Sequence, residues 1–186
     1  KAYPFGSTVR TGAGGKVMVL FSFSSADAPT ASVQLSEATE AVVDRDPAAV
    51  SNGILRLQAG RVDIFAETDT APKALTIETA GYAVSGFTGR AEVEILPAPP
   101  ELQSTRVAVA KGRAIVAGDQ FTFAEMRGGC AFVIETAADR GLTRITGEGG
   151  ETVVTLENGT GEPLAFPARP RSIIKIWREF APVGGR

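Results

Sequence analysis

The chain has 186 residues, of which 44% are apolar and 22% are charged, and its formal net charge is −2. This composition is typical of a folded globular protein and excludes intrinsic disorder, and the length suits one domain. A near-neutral charge without a basic run argues against nucleic acid as a partner, and no apolar run reaches the roughly 18 residues of a membrane-spanning helix.

Short apolar segments with alternating polar residues recur along the chain, and they predict strands rather than helices. In chain order the predicted strands are 7–10, 16–23, 31–35, 40–44, 54–58, 61–67, 74–79, 82–86, 91–96, 105–110, 113–117, 120–124, 131–136, 142–146, 151–156 and 171–179. Residues 36–50 lack the alternation, and we expect at most one helical turn there because Pro47 interrupts them.

Glycine-containing dipeptides mark the predicted turns, because glycine and asparagine tolerate a positive φ. Asn52-Gly53 and Asn158-Gly159 are the strongest of these signals. The strands on either side of Gly60, and likewise those on either side of Gly112, are predicted to pair as hairpins. The proline-rich stretch Leu96–Glu101 is predicted to be an extended crossover within one domain.

Many short strands at this spacing predict an all-β fold, an antiparallel β-sandwich with a jelly-roll-like arrangement and additional C-terminal strands. Trp177 lies in the last predicted strand. It either fills the core or anchors the chain to another subunit, since tryptophan is favoured at interfaces.

Residues that carry catalysis or bind metals are scarce. The chain has no histidine and one cysteine, Cys130, which removes Ser-His-Asp and Cys-His catalysis and thiolate zinc sites. Cys130 stands in an apolar strand, so we expect a small buried side chain; a chain-to-chain disulfide or a reactive thiol is the alternative. We therefore predict no catalytic residues, no metal site, no cofactor and no enzymatic activity.

Four patterns resemble functional motifs, and each has a plainer interpretation. Glu92 and Glu94 share one strand face, which predicts a solvated outer surface opposite apolar neighbours. Asp44–Asp46 lacks the further oxygen ligands of a calcium loop and is expected to be a polar turn. Thr11–Gly15 precedes a strand instead of opening a helix, so we expect a turn and no phosphate site. Ser172–Lys175 fits Ser-x-x-Lys, but on a strand the two side chains point to opposite faces.

Several segments resemble, in order, the FecR-like domain. The opening Ser7–Ala13 and the apolar strand Lys16–Phe21 are similar to its first signature. The segments that continue the resemblance are Val33–Thr39, Leu55–Val62, Leu75–Gly81, Gly86–Ala91 and Thr105–Ile115. The match covers about residues 6–118. It implies an extracytoplasmic β-sandwich of jelly-roll type, and in the best-studied members a periplasmic module that relays an outer-membrane signal to a sigma factor.

We therefore divide the chain into a FecR-like β domain, residues 1–118, and further strands, residues 119–186, that we expect to pack on it. The sequence begins at Lys1 rather than at methionine, which removal of a signal peptide or trimming would both produce. The resemblance favours export, so we expect the periplasm, the cell surface or the extracellular space. Because that family's cytoplasmic segment and membrane helix are missing, a free-standing exported module is expected.

Two function hypotheses follow. In the first, the chain is a non-enzymatic exported module that acts in protein–protein or envelope interactions. In the second, it is a self-assembling structural subunit of an extracellular filament or surface layer, and it exchanges strands through its termini. The expected partner is another protein or further copies of the chain, with no nucleic acid and no membrane span.

Overall fold

The computed structural model describes residues 4–21, 31–45, 53–66, 75–118, 121–137, 142–147, 152–157 and 175–177. Every element in these ranges is a strand, which confirms the all-β prediction. In chain order the strands are β1 Ser7–Arg10, β2 Val17–Phe21, β3 Ala31–Leu35, β4 Glu40–Arg45, β5 Gly53–Ala59, β6 Arg61–Ala66, β7 Leu75–Glu78, β8 Tyr82–Leu96, β9 Leu102–Gly118, β10 Phe121–Arg127, β11 Cys130–Ala137, β12 Leu142–Gly147, β13 Thr152–Glu157 and β14 Lys175–Trp177. Within the ranges described, no helix is long and apolar enough to cross a membrane.

Two long strands organise the sheet. β8 and β9 pair antiparallel from Tyr82 opposite Gly118 to Leu96 opposite Ser104. Sheet half A extends from the first part of β8 and the last part of β9, and it adds β7, β5, β4, β1, β10 and β14. Sheet half B extends from the last part of β8 and the first part of β9, and it adds β6, β3, β2, β11, β12 and β13. The strands beyond β9 confirm the predicted additional C-terminal strands.

The two long strands bend where the halves meet. The register shifts between Ser85 and Thr88, and again between Arg90 and Ala91, so each strand carries one extra residue. An extra residue reverses which side chains face inward. The buried positions change phase accordingly, from Tyr82 and Val84 to Phe87, Ala91 and Val93 on β8, and from Val107 and Val109 to Ala114 and Val116 on β9.

The predicted hairpin across Gly112 is therefore wrong. Residues 105–117 lie in one continuous strand, and residues 82–96 likewise form one strand rather than two. Gly112 has φ +86°, and a Cβ there would lie 1.8 Å from the main-chain oxygen of Thr88. Its positive φ and missing side chain permit the close approach of β8 inside a bent strand, so it does not make the turn.

The two halves curl over one hydrophobic core into a half-barrel, a sandwich-like arrangement. Phe21 of β2 packs directly on Gly53 of β5, where a Cβ would lie 2.2 Å from the aromatic ring. The largest fully buried side chains come from both halves: Leu35, Leu55, Ile64, Ile77, Ile134, Val33, Val62, Val84, Val93, Val107 and Val109. The jelly-roll connectivity stays a prediction.

Three connections differ from the sequence expectations. β5 and β6 meet at Gly60 but do not pair, since β5 pairs with β4 and β7 while β6 pairs with β3 and β8. The pair of β5 with β7 is parallel, in an otherwise antiparallel sheet. Residues 97–101 join two adjacent antiparallel strands, so they form a hairpin loop and not a crossover, closed by Leu102 N–H donating to the Pro99 oxygen at 2.9 Å.

Candidate functional site

A groove of about 610 Å³ opens where the two sheet halves separate. Its walls are the ends of β5 and β7, the last residues of β8, the first residues of β9 and the loop at 97–101. Leu57, Ile95, Leu96 and Leu102 give it an apolar lining. The volume lies in the range of about 300–1,000 Å³ that is typical of ligand pockets.

β7 ends before its neighbour β5 does, and both ends line the groove. β5 and β7 run parallel as far as Arg56 opposite Glu78. The chain then turns, and Thr79 N–H donates to the Tyr82 oxygen at 2.8 Å. β5 continues to Ala59, and in the part of the chain that the structure describes no strand pairs with residues 57–59 on the β7 side. The groove lies beside this stretch of β5 and the end of β7.

Arg56 at the groove forms ion pairs with two carboxylates. Arg56 Nε donates to Glu78 Oε2 at 2.8 Å, and a second nitrogen of Arg56 contacts Asp44 Oδ2. The Arg45 main-chain N–H and the Arg56 guanidinium hold the pKa of Asp44 below its usual range. Hydrogen bonds to Asp44 and Glu78 raise the pKa of Arg56. The two carboxylates outnumber the one guanidinium, so these three side chains together carry one excess negative charge.

Two buried hydroxyl side chains also line the groove. Ser104 and Thr105 of β9 are 6% and 3% exposed. Within the described residues, neither hydroxyl makes a hydrogen bond. Thr105 pairs with Ile95 on β8 and with Ile134 on β11, so a polar side chain stands in a row of apolar ones.

A second surface is formed by ion pairs across the outer face of β6, β8 and β9. Asp63 lies 3.9 Å from both Arg61 and Arg90, and Glu92 contacts Arg61 at 3.9 Å and also Arg106. The Arg90 guanidinium stacks over Phe65, 5.2 Å from the ring centre. Beside them is a depression of about 340 Å³, with Ala108, Ala110 and Ala131 in its lining.

The predicted face of Glu92 and Glu94 is confirmed. Val93 is fully buried on the opposite side of β8, whereas both glutamates are half-buried. On this outer face Glu92 forms ion pairs with Arg61 and Arg106, which the expectation of a solvated face did not include. The expected polar turn at Asp44 is wrong, because Asp44 lies within β4 and pairs with Arg56 across to β5.

The glycine-rich segment is a turn, as predicted. Gly15 N–H donates to the Gly12 oxygen at 3.0 Å, and β2 follows directly. Asp46, Ser172 and Asn158-Gly159 lie outside the described residues. Cys130 begins β11 opposite Val109, and Trp177 ends β14 opposite Phe123. The roles predicted for the side chains of Cys130 and Trp177 concern atoms outside the described part of the structure.

Sequence reasoning did not find the groove. It is assembled from three separate stretches of the chain, at residues 56–58, 78–80 and 95–105. One signal was present in the sequence: Thr105 occupies the inward phase of β9 that Val107 and Val109 continue. A hydroxyl at such a position is a departure from the apolar pattern.

Among described residues, no group of three or more His, Cys, Asp or Glu side chains is arranged to hold a metal ion. No family model and no curated protein matches the chain.

Two crystal structures are similar in fold. One is of a "putative anti-sigma factor" from Parabacteroides distasonis ATCC 8503, with a TM-score of 0.50 and 14% identity over 81% of this chain. The other carries the same description and organism, with a TM-score of 0.49 and 13% identity over 81% of this chain. This chain spans 59% of the length of each. At this identity the first likeness shows a shared fold.

Proposed function

We propose that this chain is a non-enzymatic regulatory module that acts by binding another protein outside the cytoplasm, as FecR-like domains do. The observation that carries the proposal is the fold likeness, over 81% of the chain, to a protein described as a "putative anti-sigma factor". The ordered resemblance of residues 6–118 to the FecR-like domain points to the same class of regulator.

The surface chemistry supports protein binding over catalysis. The chain has no histidine, so the usual general base near neutral pH is missing. The ion pairs on the outer face use Asp63 and Glu92 against three arginines, which leaves these carboxylates acting as partners of guanidinium groups. A surface of mixed charges beside shallow depressions suits the polar rim of a protein interface.

The finer proposal is that the module passes a signal to a sigma factor through a protein partner in the cell envelope. The FecR-like resemblance implies this role. This chain spans 59% of the structurally similar protein. A signalling role of that whole protein is therefore only proposed for this chain.

The test is an in-cell experiment with the chain in its source organism. The chain is tagged and fractionated, and a photo-crosslinking residue replaces Glu94 on the outer face or Gln103 at the groove, with Ala13 in the turn before β2 as the matched control position. We expect the chain in the periplasmic or surface fraction and a discrete protein adduct from Glu94 or Gln103. A cytosolic chain, or adducts equal to those from Ala13, overturns the proposal.

A self-assembling structural subunit is the second candidate, and the edge strand β2 favours it. Met18 and Leu20 on β2 are 51% and 59% exposed, and in the described residues β2 pairs only with β3. An exposed apolar edge strand is a template for pairing with another chain. Size exclusion at several concentrations and negative-stain imaging separate the two candidates, because a strict monomer contradicts assembly.

A further inference from the structure

Charged residues that lie directly across from each other on neighbouring strands differ in sign at several places in the sheet. Arg10 is across from Glu40, and Glu94 is across from both Arg61 and Arg106. Opposite charges at such positions stabilise a sheet, and like charges destabilise it. These pairs set the pattern against which the bend between the sheet halves stands out.

The bend brings like charges together in two adjoining cross-strand pairs. Arg90 of β8 lies across from Lys111 of β9, and Arg113 of β9 lies across from Arg127 of β10. Arg90, Lys111 and Arg113 are exposed, and we call these three residues the basic cluster. Repulsion within such a cluster costs stability. Its presence therefore calls for an explanation beyond the folding of the free chain.

The main chain beneath the basic cluster is held by hydrogen bonds. Lys111 and Arg113 flank Gly112, where β9 bends. The turn between β10 and β11 is tied to this point, because Gly128 N–H donates to the Gly112 oxygen at 2.8 Å. The Arg113 main-chain N–H donates to the Thr88 hydroxyl at 3.1 Å, which joins β9 to β8. The bend thus fixes the spacing of the two basic residues on β9.

An aromatic ring orients the guanidinium of Arg90. The guanidinium stacks over Phe65, 5.2 Å from the ring centre. It lies 3.9 Å from Asp63, which is longer than a hydrogen bond. A guanidinium that is already oriented loses little freedom when a carboxylate accepts two parallel N–H bonds from it. The basic cluster is therefore suited to an anionic ligand that carries carboxylates.

The neighbouring carboxylates limit the size of that anion. Asp63 and Glu92 lie across from each other beside Arg90 on the same outer face, and arginines contact both. An extended anionic surface, such as a membrane or a nucleic acid backbone, would bring its own charges against these two carboxylates and be repelled. The acidic side chains of a short protein segment can instead lie against the basic cluster alone.

We propose that the basic cluster binds an acidic segment of the partner protein through the carboxylates of its aspartate or glutamate side chains. This inference rests on the proposed function, because it assigns a contact surface and the chemistry of the partner segment. Binding places negative charge beside Arg90, Lys111 and Arg113, which offsets the repulsion among them. Like-charged pairs that are unfavourable in the free chain become favourable in the complex.

The experiment titrates the full chain with short blocked peptides by calorimetry at about 50 mM salt. The probe peptide alternates glutamate and threonine, and the comparison peptides carry glutamine or lysine in place of glutamate. We expect the glutamate peptide to bind, and the other two to bind at least about tenfold more weakly. Raising the salt to about 0.5 M should weaken binding of the glutamate peptide, because exposed charges are screened.

Two matched double variants locate the contact. Lys111→Gln with Arg113→Gln should weaken binding of the glutamate peptide at least about fivefold, since two cationic contacts are lost. Arg10→Gln with Lys16→Gln makes the same change in net charge at exposed positions on β1 and just before β2. This control should stay within about twofold of the wild type. The urea midpoint of the Lys111 and Arg113 variant should not fall, because the change removes repulsion.

Three results would overturn the proposal. The first is no binding of the glutamate peptide to the folded chain, and the second is an equal loss of binding by the two double variants. The third is binding of phosphatidylglycerol vesicles or a DNA duplex that depends on Lys111 and Arg113 while the glutamate peptide does not depend on them. Protein adducts from Glu94 in cells, beside any of these results, would still uphold the proposed function.

Discussion

Gly112 and Gly129 have nearly the same backbone conformation in very different surroundings. Their φ angles are +86° and +88°. A Cβ on Gly112 would lie 1.8 Å from the Thr88 oxygen, whereas a Cβ on Gly129 would meet nothing within 4 Å. The two positions therefore separate the cost of a positive φ from the cost of crowding between strands.

We expect Gly129→Ala to lower the free energy of unfolding by about 1–2 kcal/mol, the cost of the left-handed conformation for a residue with a Cβ. Gly112→Ala bears the same cost and also forces β8 and β9 apart at the bend. Its loss should exceed that of Gly129→Ala by at least about 2 kcal/mol, or the variant should not fold. Urea unfolding of the two variants checks this, and equal losses would contradict the role given to Gly112.

The carboxyl group of Asp44 gives a pH-dependent contribution to stability. The Arg45 main-chain N–H and the Arg56 guanidinium lower the pKa of Asp44 in the folded chain. A group whose folded pKa is depressed stabilises the fold above its unfolded pKa, about 3.9 for aspartate, and this contribution disappears as pH falls through the folded pKa.

We therefore expect Asp44→Asn to be less stable than the wild type at neutral pH and to lose less stability as the pH falls below about 4. Glu101→Gln, in the exposed hairpin loop, is the control. Urea midpoints measured across this range test the prediction. Parallel pH profiles for the wild type and Asp44→Asn would show that the Asp44 interactions do not contribute.

At the scale of elements, Thr39 joins three segments of the chain by hydrogen bonds. Its hydroxyl donates to the Arg61 oxygen and accepts from Arg61 N–H, both at 3.1 Å, which links the β3–β4 turn to the start of β6. Its main-chain N–H donates to the Thr11 hydroxyl at 2.9 Å, and Thr11 donates to the Ser36 oxygen at 2.5 Å. The turn is thereby joined to the segment between β1 and β2.

Replacing Thr39 with valine keeps the shape of the side chain and leaves the main-chain groups of Arg61 with fewer partners. We expect Thr39→Val to lose about 1–3 kcal/mol of unfolding free energy, because the lost partners are buried. Thr8→Val, on an exposed position of β1, should stay within about 0.5 kcal/mol of the wild type. A change for Thr39→Val no larger than for Thr8→Val would contradict this account.

The alternation of the sequence predicted strands well and their partners less well. Alternation depends on which side chains are buried, so it locates each strand and its inward face. It carries no information on which strand lies alongside, and the expected pairing of β5 with β6 across Gly60 is wrong for that reason. Sequence alone predicts a hairpin at Gly112 because a turn and a bulge both use glycine with positive φ.

The candidate site was predictable only in part. The outward face of Glu92 and Glu94 follows from alternation alone. The groove does not, because it is lined by residues 56–58, 78–80 and 95–105, which only the three-dimensional fold brings together. The parallel pairing of β5 with β7 brings Arg56 and Glu78 together. No local pattern in the sequence predicts this pairing.

At the scale of the whole molecule, the exposed apolar side chains of β2 are the candidate contact for self-association. We expect Met18→Lys with Leu20→Lys to leave the free energy of unfolding within about 0.5 kcal/mol, because both side chains face outward. If copies associate through β2, charges there should abolish association. Size exclusion across a concentration series checks both the wild type and the variant, and association that persists in the variant would exclude β2 as the contact.

The sharing of β8 and β9 between the sheet halves has a consequence for how the molecule unfolds. Both halves depend on the same two strands for a paired neighbour, so loss of these strands from one half also removes them from the other. We therefore expect a single cooperative unfolding transition rather than one for each half.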